Sequence, residues 1–417
     1  MRVIINKGKA TGSIYAQPSK SYSHRLLIGA ALSTLSNGKE NIVKNIVLSN
    51  DIKATISCLQ TLGLIVNVID KNAYINKDCN ISQDTNSDLV FNCFESGSTL
   101  RFFIPIALAL NNNLDRKLIF KGTEKLISRG IGPYQEIFEK QGLYAKVCND
   151  EIVLCGKLKV DDFIIPGNIS SQFVTGLLFA MPLLKGNSKI ILSSNLESKN
   201  YVDMTIDVLN KFGVNTIIYN NTYMISNSSN NNYIRKHSIN DLVVEGDYSN
   251  AAFIDSLNYL GGNVIINGLN NNSYQGDKIY KELFKKLNQK NVVIDISNCI
   301  DLGPILFCMA SLKYGAHFVN TSRLKIKESD RVLDLSKELA KFNVEVIDLG
   351  NEVIIKNENI KAPECELDGH NDHRIVMALS VMLTKYGGVI SGAEAINKSY
   401  PQFFNDLREL GIEVYYE

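Results

Sequence analysis

Five times along this chain a helical stretch runs into Gly or Asn and is followed at once by an alternating strand. The copies are Leu62-Gly63-Leu64-Ile65-Val66, Gln141-Gly142-Leu143-Tyr144-Ala145, Phe212-Gly213-Val214-Asn215-Thr216, Phe342-Asn343-Val344-Glu345-Val346 and Leu410-Gly411-Ile412-Glu413-Val414. A weaker sixth surrounds Lys290-Asn291-Val292-Val293-Ile294-Asp295. Gly and Asn enter the left-handed conformation that commonly stops a helix. Recurrence every 50 to 80 residues or so is too long for a solenoid repeat and suits a small α/β subdomain. Six copies divided three and three imply two similar α/β lobes.

The expected division places one lobe at 20–240. The second lobe takes 1–19 and 241–417, and therefore both termini. The polar stretch Asn227 to Asn232 and the restart at Val243-Val244-Glu245-Gly246-Asp247 suggest the second boundary. A chain of 417 residues is long enough for more than one core. Two helical stretches, Leu100 to Leu110 and Phe173 to Leu184, are apolar on most sides and should be buried.

Charge narrows the function. Lys plus Arg total 44 against 43 acidic residues, a net charge of +1, so no global field favours nucleic acid or a membrane surface. Any cationic site must be local. The eight cysteines are scattered without a CxxC pair, which speaks against a disulfide frame or a zinc site. Met1-Arg2-Val3-Ile4-Ile5 enters a strand-like segment directly, and no apolar run approaches a membrane span. The expectation is a soluble, cytoplasmic protein.

Cations gather at the mouths of expected helices, where unpaired N–H groups and the positive dipole end favour anions. Pro18-Ser19-Lys20-Ser21 leads through Arg25 into an apolar helix. It reads equally as a Ser-capped helix with surface cations or as an oxyanion seat. Glu95-Ser96-Gly97-Ser98-Thr99-Leu100-Arg101 is an ordinary turn, or a backbone that a ligand can approach because Gly97 lacks a side chain. Arg129 stands in the rigid loop Ser128-Arg129-Gly130-Ile131-Gly132-Pro133, either solvated or as a fork for carboxylate or phosphate. Ser170, Ser171, Gln172 and Tyr201 offer neutral donors. Lys327-Glu328-Ser329-Asp330-Arg331 is a charged helix start, and Asp301 is by default an N-cap. Beside a cation in a closed site, such carboxylates become proton handlers. In Asn371-Asp372-His373-Arg374, Asp372 is expected to orient His373 while Arg374 grips an anion. His370 and His373 lack a third ligand at zinc-like spacing, so no metal is expected.

Taken in this order, the segments from Pro18-Ser19-Lys20-Ser21 to Lys398-Ser399-Tyr400-Pro401 resemble the 5-enolpyruvylshikimate-3-phosphate synthase family of enolpyruvyl transferases, over essentially the whole chain. The resemblance implies an α/β fold of two lobes, each of three βαβαββ units around a pseudo-threefold axis, with the active site in the cleft between them. It implies transfer of the carboxyvinyl group of phosphoenolpyruvate to the 5-hydroxyl of shikimate 3-phosphate, through a tetrahedral adduct, in aromatic amino-acid and chorismate biosynthesis. By that similarity, shikimate 3-phosphate lies on Lys20, Ser21, Arg25, Ser170, Ser171, Gln172, Tyr201, Asp301 and Lys327. Phosphoenolpyruvate lies on Lys20, Gly97, Arg129, Gln172, Arg331, Arg374 and Lys398. Asp301, Glu328 and Lys20 are the implied catalytic residues. The small molecules are the implied partners of a monomer, without metal or organic cofactor.

Four positions depart from the family pattern: Glu95 where Asn is common, Phe102 and Asn200 where Pro is common, and Arg323 where some members have Asn. They bear on ligand affinity and on sensitivity to glyphosate, the family's inhibitor. The sister enzymes acting on UDP-N-acetylglucosamine typically carry a Cys in a mobile loop; here none occurs between Cys93 and Cys148. A non-catalytic binder of phosphorylated metabolites would need the anion seats but not Asp301, Glu328 and Lys20 together.

Overall fold

The computed structural model describes residues 1–78, 87–225, 242–357 and 359–417; Cys79 and the polar stretch Asn227 to Asn232 lie outside them. The chain forms two compact units, one of Pro18–Glu245 and one of Met1–Gln17 with Gly246–Glu417. Each unit has its own apolar core.

In the unit Pro18–Glu245, two four-stranded sheets share one pattern of pairing. Leu89–Phe94 runs parallel to Leu118–Gly122, which pairs antiparallel with Glu151–Cys155 and through it with Tyr144–Val147. Asp162–Ile165, Ser188–Leu192, Thr222–Ile225 and Thr216–Tyr219 repeat that order. A third sheet holds Asn41–Val43, Asn72–Lys77 and Leu64–Ile69. Its vacant parallel position is met by a single bridge between Lys44 and Val243.

The other unit follows the same plan. Val293–Asp295, Ala316–Val319, Glu352–Ile355 and Val346–Asp348 form one sheet. Leu367–Asp368, Gly388–Ser391, Val3–Ile5 and Val414–Tyr416 form another, in which the amino-terminal strand supplies the third position. Asn263–Asn267 pairs parallel with Thr11–Tyr15.

The repeated helix stop is visible in the backbone: φ is 85° at Gly63, 65° at Gly142, 85° at Gly213, 62° at Asn343 and 87° at Gly411. In each case the strand that follows is the far edge of its sheet, beside an antiparallel neighbour. The sixth copy differs. Asn291 has φ 56° but lies beyond the end of helix Tyr280–Lys286, which is capped at Leu287, and Val293–Asp295 opens the next sheet beside a parallel neighbour. The local signal reports a helix end and a strand; the pairing partner is set by the rest of the sheet.

Helices Lys20–Asn37, Gly97–Leu110 and Ser171–Ala180 are buried in the unit Pro18–Glu245. The last is shorter than its apolar run: Pro182 has no N–H to extend the ladder, and the chain continues as a 3₁₀ turn, Met181–Leu183. A Cβ at Gly176 would lie 2.4 Å from the Arg101 carbonyl oxygen and from Tyr134 Oη, so only glycine lets these two helices approach so closely. Tyr134 Oη donates to the carbonyls of Arg101 and Phe173, tying both helices near their starts.

Candidate active site

In the unit Pro18–Glu245 the three buried helices begin with Ser caps. Ser19 accepts from Tyr22 N–H, Ser96 from Thr99 N–H and Ser170 from Gln172 N–H. The first turns carry the residues singled out by sequence. Lys20 Nζ pairs with Asp51 Oδ2 at 2.9 Å. Arg25 is 2% exposed, and its hydrogen-bond partners among the described residues are neutral: Thr205 Oγ1 at 2.9 Å, the Tyr201 and Ser21 carbonyls at 2.9 Å, and Thr175 Oγ1 at 3.4 Å. Its guanidinium also stands 5.3 Å from the Phe102 ring centre and 5.8 Å from that of Tyr201. Burial pulls its pKa down to about 10, so it stays a cation at neutral pH. A buried cation without a carboxylate is stabilised by an arriving anion.

Gly97 sits between two more guanidiniums. A Cβ there would lie 3.1 Å from Arg129 Nη1 and 3.2 Å from Arg101 Nη1. Arg129 Nε is buried with no hydrogen-bond partner among the described residues. Arg101 Nη1 donates to Gln172 Oε1 at 2.6 Å, and Gln172 Nε2 to Ser98 Oγ at 2.9 Å. The structure thus joins Gly97, Arg129 and Gln172 through Arg101, which sequence reasoning left among the flanking residues. Its position four residues into a Ser-capped buried helix was the available signal. Asp51, the partner of Lys20, carried none.

In the other unit, Asp301 lies within a 3₁₀ turn, Ile300–Leu302. It is not an N-cap; its carboxylate gathers three cations. Lys327 Nζ is 3.3 Å away, Arg331 Nη1 3.1 Å and Arg374 Nη2 3.3 Å. Arg331 is fully buried and engages three carboxylates: Asp301, Glu328 at 2.7 Å and Asp372 at 2.8 Å. Burial opposes its charge, yet the three carboxylates together raise its pKa. Lys327 is pulled the other way, its pKa lowered by burial against the partial support of Asp301. Lys398 Nζ donates to the Asn371 carbonyl at 2.6 Å.

Asp372 does not orient His373. It caps helix His373–Tyr386 by accepting Arg374 N–H at 2.9 Å, and its oxygens are taken by Arg331; His373 Nδ1 is 3.9 Å off, beyond a hydrogen bond. Arg331, expected to grip phosphoenolpyruvate, already has its fork filled with carboxylates. Asp277 adds a buried carboxyl whose pKa is pushed up to about 7 by burial first and by the Asp301 charge second. Ser249 Oγ donates to it.

Two of the departing positions have a physical account. Phe102 supplies an aromatic face to Arg25. Asn200 lies in the first turn of helix Lys199–Lys211, where Pro is tolerated as well. Among the described residues no group of three or more His, Cys, Asp or Glu side chains could hold a metal ion, and no helix is long and apolar enough to cross a membrane.

A family model for EPSP synthase (3-phosphoshikimate 1-carboxyvinyltransferase) matches residues 5–407. The chain is similar to the 3-phosphoshikimate 1-carboxyvinyltransferase of Clostridium kluyveri, with 39% identity over 438 residues, 99% of this chain and 98% of that one. It is similar to the protein of the same name from Clostridioides difficile, with 35% identity over 444 residues, 98% of this chain and 97% of that one. Among solved structures, EPSP synthase from Acinetobacter baumannii matches with a TM-score of 0.75 at 18% identity, covering 100% of both chains. The enolpyruvyl transferase NikO from Streptomyces tendae matches with a TM-score of 0.76 at 11% identity, covering 100% of this chain and 98% of that one. At those identities the two structures speak for the fold alone.

Proposed function

The chain belongs to the EPSP synthase (3-phosphoshikimate 1-carboxyvinyltransferase) family, and we propose that it performs this family's reaction with the residues described above. It is an enzyme of the shikimate pathway that moves the enolpyruvyl group of phosphoenolpyruvate to the 5-hydroxyl of shikimate 3-phosphate. The hydroxyl gives up its proton as its oxygen bonds to C2, and C3 takes a proton. The tetrahedral adduct then loses phosphate, and C3 gives a proton back.

The observation that carries the assignment of roles is Asp301, one carboxylate gathered by Lys327, Arg331 and Arg374. Two phosphorylated substrates repel each other, and cations offset that repulsion. A pair of opposite unit charges at 4 Å is worth about 4 kcal/mol at an effective dielectric of 20. In this reading Arg374, Lys398, Gly97, Arg129, Gln172 and Lys20 hold phosphoenolpyruvate. Ser21, Arg25, Ser170, Ser171, Gln172 and Tyr201 hold shikimate 3-phosphate, together with Lys20, Asp301 and Lys327. Arg331, with its fork full, reaches phosphoenolpyruvate by exchanging a carboxylate for the ligand. Its Nη1 and Nη2 meet Asp301 and Glu328, which puts both carboxylates within one guanidinium's span. Those two and Lys20 are the proton handlers.

A monomeric, cytoplasmic enzyme completes this reading. Phosphorus NMR tests the reaction itself. In a mixture of both substrates, the phosphoenolpyruvate signal should give way to inorganic phosphate while a phosphomonoester persists. Retention of phosphoenolpyruvate would refute the assignment.

A further inference from the structure

We propose that His370 is a positioning residue for phosphoenolpyruvate binding, fixing the turn Asn371 to Arg374 against helix Arg331–Ala340. This rests on the reading above that Arg331, Arg374 and Lys398 hold that substrate.

The turn does not sustain itself. His370 has φ 49° and Asn371 φ 51°, two successive residues with side chains in the left-handed region. Asn enters it with little penalty, but a bulkier side chain does so only when its surroundings compensate. The compensation is visible. His370 Nε2 lies 3.0 Å from Glu338 Oε1, its Nδ1 lies 3.5 Å from Asp334 Oδ1, and its backbone N–H donates to Asp368 Oδ1 at 2.7 Å.

Arg331, Asp334 and Glu338 follow one another at three and four residues, so they share one face of their helix. That face grips the turn twice: at His370 through Glu338 and Asp334, and at Asp372 through Arg331. Between the two grips, the Asn371 carbonyl accepts Lys398 Nζ. Charge neutralisation is not what His370 adds. Glu338 already pairs with Lys341 at 2.8 Å, and Asp334 with Lys337 at 3.3 Å. What the imidazole supplies is a fixed spacing between helix and turn. Without it, the Asn371 carbonyl and Asp372 can relax together, and the cations they hold go with them.

The test is steady-state kinetics of His370→Asn and His370→Gln, with each substrate varied in turn, beside thermal melts. Asn suits the left-handed backbone but is too short to reach Glu338. It should raise KM for phosphoenolpyruvate on the order of tenfold, as for one lost hydrogen bond to a charged group. KM for shikimate 3-phosphate and Tm should stay close to wild type. Gln, which can reach Glu338, should recover part of the loss. His370→Asn combined with Glu338→Ala, which takes the acceptor away, should be no worse than the more affected single variant, since both remove one contact. Equal changes in both KM values, or full additivity in the double variant, would overturn the proposal. Turnover by the wild-type protein tests the underlying reading separately. Hydrogen exchange across Gly369 to Arg374 needs no substrate; it should quicken in His370→Asn, and unchanged exchange would also overturn the proposal.

Discussion

Arg331 and Asp372 meet through two bonds, Nε to Oδ2 at 2.8 Å and Nη2 to Oδ1 at 3.3 Å, with the arginine fully buried and the Asp372 side chain 0% exposed. Asp372 also caps the helix that carries Arg374. One carboxylate therefore fixes two of the proposed phosphoenolpyruvate cations, Arg331 directly and Arg374 through the first helical turn.

Asp372→Asn separates these duties. Asn caps a helix about as well as Asp, but it withdraws the charge that faces Arg331. Arg331 keeps Asp301 and Glu328, so the loss should be about 1–3 kcal/mol, the usual worth of a hydrogen bond to a charged group. Urea unfolding measures it. A variant as stable as wild type would show that Asp301 and Glu328 suffice to hold Arg331.

Arg129→Lys should weaken phosphoenolpyruvate more than shikimate 3-phosphate. Lysine keeps the charge but loses the planar fork, at a cost of about 1–3 kcal/mol if the bond is buried. Gly97 leaves the Arg129 nitrogens open from that side, where a Cβ would stand 3.1 Å from Nη1. Binding of each ligand by calorimetry decides; equal weakening of both would give Arg129 a structural role.

Much of this site was legible in the chain because capped helix starts are local. The Ser cap offered as one reading of Pro18-Ser19-Lys20-Ser21 is present at Ser19, and Ser96 and Ser170 cap their helices in the same way. The cations next to them were likewise visible. What sequence could not show is which carboxylate meets which cation. Asp372 was paired with its neighbour His373, whereas the fold brings up Arg331 from 41 positions away. The same limit applies to the sixth repeat: the helix before Asn291 already ends at Lys286, and the partner of Val293–Asp295 is set by strand order. The importance of Arg101 depends on Gln172, which lies on another helix, and no local pattern shows that pairing.

Asp277 predicts a pH dependence. Its folded pKa is raised from 3.8 to about 7, first by burial and then by Asp301. The folded state thus holds a proton that the unfolded state releases, so stability falls as pH rises from about 4 to about 7 and is level beyond. Asp277→Asn removes the effect. Its Tm relative to wild type should climb across that window; a constant difference would mean that Asp277 is ionised in the fold.

Glu328→Gln should fold and bind both substrates yet turn over slowly. Gln keeps the shape and can still accept the hydrogen bond from Arg331, now 2.7 Å from Glu328 Oε2, but it exchanges no proton as a carboxylate does. Losing a general acid–base group costs about 10²–10⁴-fold in rate. A charge merely favoured by the helix dipole is worth about 0.3–1 kcal/mol of stability and little rate. Single-turnover phosphate release beside a thermal melt separates the two. A near-wild-type rate would leave Asp301 and Lys20 as the proton handlers.

Phosphate release by the purified wild-type protein tests the central claim most directly. The account predicts release when shikimate 3-phosphate and phosphoenolpyruvate are both present and none when either is omitted. Release with UDP-N-acetylglucosamine and phosphoenolpyruvate, and none with shikimate 3-phosphate, would contradict it.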